Sequence, residues 1–169
     1  MQSAEYSCFV RVYRNIREVH SIKKIILLLL CALLLAACGP KAGEVFEGEV
    51  NNFDGVTMTV LYNTATPTGV TIQILNTTDK EIDSGNAYDF SLQVEQDDAW
   101  HLLESNPFAN TADALIYPKD ELIQQELDWS SRYGTLPAGS YRVVKEFSCR
   151  SAANDGIDDF CLAAPFTIE

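Results

Sequence analysis

The chain has 169 residues, 47% of them hydrophobic, with 24 acidic side chains against 12 basic ones and a formal net charge of -12. That length accommodates one modest core, and the hydrophobic fraction excludes a disordered acidic tail. The acidic excess excludes nucleic acid as a partner, because phosphate binding draws its affinity from clustered Lys and Arg.

Residues 1–37 differ in composition from everything after them. Lys23 and Lys24 precede an uninterrupted apolar run from Ile25 to Ala37. The run is shorter than the ~20 residues of a membrane-spanning helix and matches a signal-peptide hydrophobic region. It ends in Leu35-Ala36-Ala37-Cys38, followed by Gly39. This ending resembles the lipobox of bacterial lipoproteins, in which small residues admit the signal peptidase and the cysteine thiol receives a diacylglycerol. A truncated anchor or a buried helix is the alternative, but neither requires the lysine pair, the apolar run and the small-small-Cys ending to coincide. Two or three acyl chains on Cys38 would hold the mature chain on a bilayer far more firmly than one. The expected location is the outer face of the bacterial cell membrane, and the membrane is the expected partner, reached through Cys38.

Met1 to His20 precede the pattern. Arg11, Arg14 and Arg17 lie near Val12, Ile16 and Val19 with a faint amphipathic period, so one reading is a short helix. The other is an upstream extension, with translation starting at Val19 through a GTG codon. A precursor whose mass begins at Met1 would exclude the second.

Removal of residues 1–37 leaves 132 residues with 7 basic and 22 acidic side chains, a net charge of -15. Cys8 and Cys31 leave with the precursor and Cys38 is lipidated, so Cys149 and Cys161 remain. An exported compartment permits a disulfide between them, contributing about 2–4 kcal/mol; two thiols are the alternative. Residues 38–55, with Gly43, Gly48, Asn51 and Asn52 among Glu44, Glu47 and Glu49, are expected to form a solvated acidic tether, and the folded domain is expected over 56–169.

From Val56 the apolar period is two, which predicts half-buried strands. Val56, Met58, Val60 and Tyr62 form one inward set, and Val70, Ile72 and Ile74 another, with Pro67 and Gly69 at the turn between them. Tyr88, Phe90, Leu92 and Val94 predict a third strand. Gln96-Asp97-Asp98-Ala99 is a turn leading to Trp100, His101 and Leu102, a hairpin expected to end in a buried tryptophan. Leu115-Ile116-Tyr117 is a candidate edge pairing. Glu121 to Trp129 fits either a helix or a strand, and the all-β context favours the strand. Leu136-Pro137-Ala138-Gly139-Ser140-Tyr141 has the Leu-x-x-Gly-x-Tyr spacing of a tyrosine corner, with the phenol buried and its hydroxyl bonded to upstream backbone. Tyr141, Val143 and Phe147 then face inward, as do Phe160, Leu162, Ala164, Phe166 and Ile168. Parity opposes the disulfide, since Cys149 shares the inward set and Cys161 falls opposite it. A bulge or a strand end would reconcile them, and Lys145 on the inward parity hints that strand regularity changes there.

About seven antiparallel strands with structural residues Trp100, Trp129, Leu136, Gly139 and Tyr141 predict an all-β, immunoglobulin-like β-sandwich. The chain from Val56 to Ile168 resembles the bacterial Ig-like domain grouped as Big group fourteen. The resemblance rests on Thr71-x-x-x-x-Asn76-x-Thr78, Gly85-x-x-Tyr88-x-Phe90-x-Leu92, Trp100, and Trp129-x-x-x-Tyr133-Gly134-x-Leu136-Pro137-x-Gly139-x-Tyr141-Arg142. It implies an exported, membrane-tethered protein and carries no assigned reaction or catalytic residue.

Chemistry has little support. His101 is the one histidine of the mature chain, and no Gly-x-Ser-x-Gly elbow accompanies it. One histidine and two cysteines do not make a zinc site. Asp155, Asp158 and Asp159 crowd a loop where calcium could bind, against the alternative of a solvated acidic loop without EF-hand spacing. Asn76-Thr77-Thr78 fits a glycosylation sequon, but Asn76 is expected to close a turn. No cofactor is expected. The expected function is a non-catalytic binding or spacer module for a protein or cell-wall partner. An extracytoplasmic regulator or sensor is the alternative, and a hydrolase is third.

Overall fold

The computed structural model describes residues 40–108, 113–150 and 156–169, which fall in the compact unit Gly39–Glu169. The signal segment, Cys38 and Asp155 lie outside the described residues. Among the described residues there are ten strands, the longer ones where apolar residues alternate: β1 (Ala42–Val45), β2 (Val56–Val60), β3 (Gly69–Asn76), β4 (Ile82–Ser84), β5 (Ser91–Gln96), β6 (Ala99–Leu103), β7 (Leu115–Tyr117), β8 (Glu121–Asp128), β9 (Gly139–Arg150) and β10 (Ile157–Ile168). A single helical turn, α1 (Ser130–Tyr133), follows β8. The three strands beyond the expected seven are short segments of four residues or fewer, β1, β4 and β7.

The strands form two antiparallel sheets. The smaller has the order β2-β3-β8, and the larger has the order β1-β6-β5-β9-β4-β7, with β10 on the other edge of β9. The length of β9 explains this layout. Its first half pairs with β5, from Val94↔Tyr141 to Ser91↔Val144, and its second half pairs with β4, from Ser84↔Phe147 to Ile82↔Cys149. Together the sheets make an Ig-like β-sandwich.

Between the sheets lies one core that includes Ile72, Leu92, Trp129, Val143, Phe147 and Leu162. The β5–β6 turn is a two-residue hairpin, with Gln96 opposite Ala99 and both Asp97 (φ 52) and Asp98 (φ 61) left-handed, the type I′ geometry whose twist suits paired strands. Glu121 to Trp129 resolves as strand β8, running into buried Trp129.

Three expectations change, the first at two tyrosines. Tyr62 lies beyond the end of β2 and is 86% exposed, so that inward set ends at Val60. Tyr88 precedes β5 and is 58% exposed, so the buried set begins at Phe90. Trp100 sits half-buried on β6, and the fully buried tryptophan is Trp129. The alternation in β6 has the opposite parity to the expected one: Trp100 lies opposite Glu95 and Leu102 opposite Gln93, on the outer face of the larger sheet, and the buried residue of the strand is Leu103.

The third change concerns residues 42–55. Instead of leaving the surface as a tether, they bind it. β1 pairs with β6, and Phe46 N–H donates to Trp100 O (2.8 Å). The chain then crosses the outer face of the larger sheet, with the Phe46 ring 5.4 Å from the Arg142 guanidinium, and reaches β10 at Asn51. There Asn51 N–H donates to Cys161 O (2.8 Å), while its side chain donates to Ala163 O (3.1 Å) and accepts from Ala163 N–H (2.9 Å). Phe53 stacks on Phe160 at 3.9 Å before β2 begins. This strap explains why Gln93, Val144 and Ala163 are buried despite lying on the outward parity. The Phe46 ring lies close against Gly48, where a Cβ would come within 2.5 Å of its tip and displace the ring. Polar composition alone cannot distinguish a tether from a strap, since the strap also keeps its glutamates in water.

Candidate functional site

At one pole of the sandwich the corner motif closes as expected. Tyr141 Oη donates to Pro137 O (2.9 Å), and Gly139 admits the ring, since a Cβ there would lie 3.2 Å from it. Burial pushes the Tyr141 hydroxyl pKa up. Trp129 Nε1–H and Leu136 N–H both donate to Pro67 O (3.0 and 2.8 Å), so the turn before β3 is tied to the corner. Phe166 packs against both Trp129 and Tyr141. A groove of about 650 Å3 opens beside them, lined by residues that include Tyr62, Ala65, Pro67, Phe166 and Glu169. Tyr62 is 86% exposed at its rim.

Asn76 closes its turn and does more. It is fully buried, donates to Lys80 O, Tyr117 O and Pro118 O, and accepts from the Thr78 N–H and hydroxyl. Such a side chain offers no accessible amide for a sugar.

The loop between β4 and β5 holds the features that parity only hinted at. Lys145 points inward from β9 and is 1% exposed. Its ammonium donates to Asn86 O (3.2 Å) and Asp89 O (2.9 Å), and burial lowers its pKa from 10.5 to about 8, against a smaller raising effect from Asp89. Gln125 of β8 donates to Ala87 O (2.9 Å), and buried Arg132 of α1 donates to Tyr88 O (2.6 Å). Four consecutive carbonyls, 86 to 89, are therefore held by side chains from three elements. Arg132 also stacks on Phe108 at 3.7 Å. Gly85 belongs to the same arrangement, since a Cβ there would sit 2.7 Å from Asp89 Cγ. The Tyr88 ring is left pointing to solvent from a fixed backbone. Sequence reasoning missed this clamp. Its one signal was Lys145 on the inward parity, which marks a buried cation and not a bulge, as β9 and β10 pair without interruption from Gly139↔Ile168 to Arg150↔Ile157.

That unbroken register also decides the cysteines. Cys149 lies opposite Asp158 and Cys161 opposite Glu146, a stagger of three residues, or about 10 Å, with the two side chains on opposite faces. A disulfide needs Cα atoms within about 7 Å, and none joins Cys149 to Cys161. Burial and nearby Glu146 raise the Cys161 thiol pKa.

The chemical candidates do not converge. His101 is half-buried on β6 with Nδ1 3.2 Å from Gly43 O, and the polar groove is lined by neither His101 nor the Asp158–Asp159 pair. Asp158 and Asp159 are adjacent on β10 and so point to opposite faces, with Asp159 accepting from the Ser148 hydroxyl (2.7 Å). Among the described residues no three His, Cys, Asp or Glu side chains gather for a metal. Trp100 instead stacks with Arg142 (4.4 Å), whose Nε–H donates to Gln93 Oε1 (2.7 Å).

The profile of the bacterial Ig-like domain family matches residues 52–167. The chain belongs to that family. No curated protein and no solved structure matches the chain. A bacterial Ig-like domain points to a non-catalytic surface or binding module, and the matched span contains both the corner at Tyr141 and the clamped loop at Tyr88.

Proposed function

We propose that this bacterial Ig-like domain protein is exported and lipid-anchored through Cys38, and acts at the outer face of the cell membrane as a non-catalytic binding or spacer module. The observation that carries this reading is sequential: a lysine pair, an apolar run and Leu35-Ala36-Ala37-Cys38 stand directly before an all-β Ig-like domain whose first strand starts at Ala42. The test is metabolic labelling of the full chain in a bacterial host with a tritiated fatty acid, with mass spectrometry of the product. Label at Cys38 and loss of residues 1–37 are expected, with Cys38→Ser abolishing the label. An unlabelled product that keeps residues 1–37 would overturn the reading.

A second reading, an extracytoplasmic regulator or sensor, draws on the groove at the tyrosine-corner pole, where exposed Tyr62 borders a floor of mixed polar and apolar residues such as Phe166 and Glu169. Chemical-shift changes confined to residues 60–67 and 165–169 on adding exported proteins of the host would support it.

A further inference from the structure

Exposed sheet edges invite pairing with other chains, and proteins usually blunt them with short strands, bulges, prolines, cover or charge. The edges of this sandwich differ in how they are treated. β1 has four residues and an irregular register, and β7 has three residues. β10 carries Pro165 and is bridged at Cys161 and Ala163 by Asn51. β8 has eight residues and an unbroken register with β3 from Gly69↔Asp128 to Asn76↔Glu121, with neither proline nor bulge. Among the described residues no strand pairs with its other edge.

Its one safeguard is charge, and that safeguard is selective. Glu121, Glu126 and Asp128 lie along the strand, with Asp120 just before it. Two copies of β8 paired antiparallel about their midpoint would set Glu121 against Asp128 at both ends, so a second copy is disfavoured. A cationic strand meets the opposite field. On the core side Ile123 is only half-buried at this edge, leaving apolar surface that one more strand would cover. On the flank, the Gln125 bond to Ala87 O brings the clamped loop to this edge, and exposed Tyr88 with it.

We propose that the open edge of β8 accepts an extended basic peptide segment as a fourth strand of the smaller sheet, with Lys or Arg beside Glu126 and apolar residues beside Ile123. Backbone hydrogen bonds supply the affinity and the alternating side chains the specificity, as in other strand additions. This deepens the binding-module reading and does not depend on the lipid.

The test uses the full chain in neutral detergent and a fluorescein-labelled decapeptide of alternating lysine and valine, followed by anisotropy at low salt. Saturable binding is expected, falling at least tenfold for a glutamate–valine analogue. It should fall as far for the lysine peptide methylated at every backbone nitrogen, which keeps its charge but cannot donate to a sheet. Glu126→Lys, at an exposed position, should reduce the preference for the lysine peptide. No saturable binding, equal binding of the methylated peptide, or an unchanged preference in Glu126→Lys would each overturn the proposal. An acylated chain that leaves the peptide unbound overturns the edge alone, and a chain that binds the peptide without acylation overturns only the anchor.

Discussion

Lys145 shows how a single buried charge connects local geometry to stability. Its ammonium predominates below about pH 8 and is held away from water, with two carbonyls and Asp89 as compensation. In the unfolded chain the same group stays protonated up to its ordinary pKa of 10.5. Between about pH 8 and pH 10.5 the unfolded state therefore holds more protons, and this group makes stability rise with pH. Tyr117 and Tyr141, whose folded pKa values are raised by burial, act in the opposite sense above about pH 10, where unfolded tyrosines ionise first. Cys161 opposes the lysine effect from about pH 9, because burial and Glu146 raise its folded thiol pKa and the unfolded thiol ionises first. The contribution of Lys145 is therefore read as a difference: between pH 8 and 10 the unfolding free energy of the natural chain in urea is expected to rise relative to that of Lys145→Met by up to about 1.4 kcal/mol per pH unit. Equal slopes in the two proteins would mean that the buried ammonium does not titrate as described.

Among the elements, those with a strict period of two were legible before any coordinates. β2, β3, β9 and β10 carry most of their buried residues on the expected positions, with Val144 and Ala163 as the exceptions on the outward parity, and the corner at Tyr141 follows from six consecutive residues. Elements whose burial depends on a distant partner were not legible. Nothing local decides whether β6 turns Trp100 and Leu102 or His101 and Leu103 towards the core, or tells Lys145 that Asn86 and Asp89 will turn carbonyls towards it across 59 and 56 residues. The strap is the clearest case, because the bonds that lay it on the larger sheet, from Phe46 to Trp100 and from Asn51 to Cys161 and Ala163, reach residues more than 50 positions away. Asn51 holds its far end in a left-handed conformation at φ 58. Asn51→Gly keeps that backbone accessible while removing both side-chain bonds to Ala163. Hydrogen exchange at the Ala163 amide is expected to quicken by about tenfold, matching roughly 1–1.5 kcal/mol for a lost hydrogen bond, while β3 keeps its protection. Slow exchange at Ala163 in the variant would show that the strap is held by something else.

On the scale of the whole molecule the charge is more lopsided than composition suggests. Arg132 and Lys145 are buried, and Arg142 is half-covered by Phe46 and Trp100, so three of the seven cations after residue 37 do little to offset the acidic surface. Self-repulsion of that surface opposes the compact state and is screened within about 10 Å at 0.1 M salt. Raising sodium chloride from about 10 mM to about 0.5 M is expected to increase Tm by roughly 3–5 °C, near 1 kcal/mol for a domain of this size. A Tm that falls with salt would show that attractive ion pairs dominate.

The strap also has a mechanical consequence. A force applied ahead of Lys41 reaches β1 and the crossing to Asn51 before it reaches β2 and the core. Lys41 to Gly55 would lengthen by up to about 50 Å if drawn straight at ~3.5 Å per residue, with the sandwich from Val56 onward still closed. Residues that composition marks as a linker are thus held folded against the domain they precede, and with the proposed anchor at Cys38 they would act as an extensible spring. Single-molecule pulling on the full chain from its N-terminal side should register a first, low-force step no longer than that length, separate from the rupture of the core.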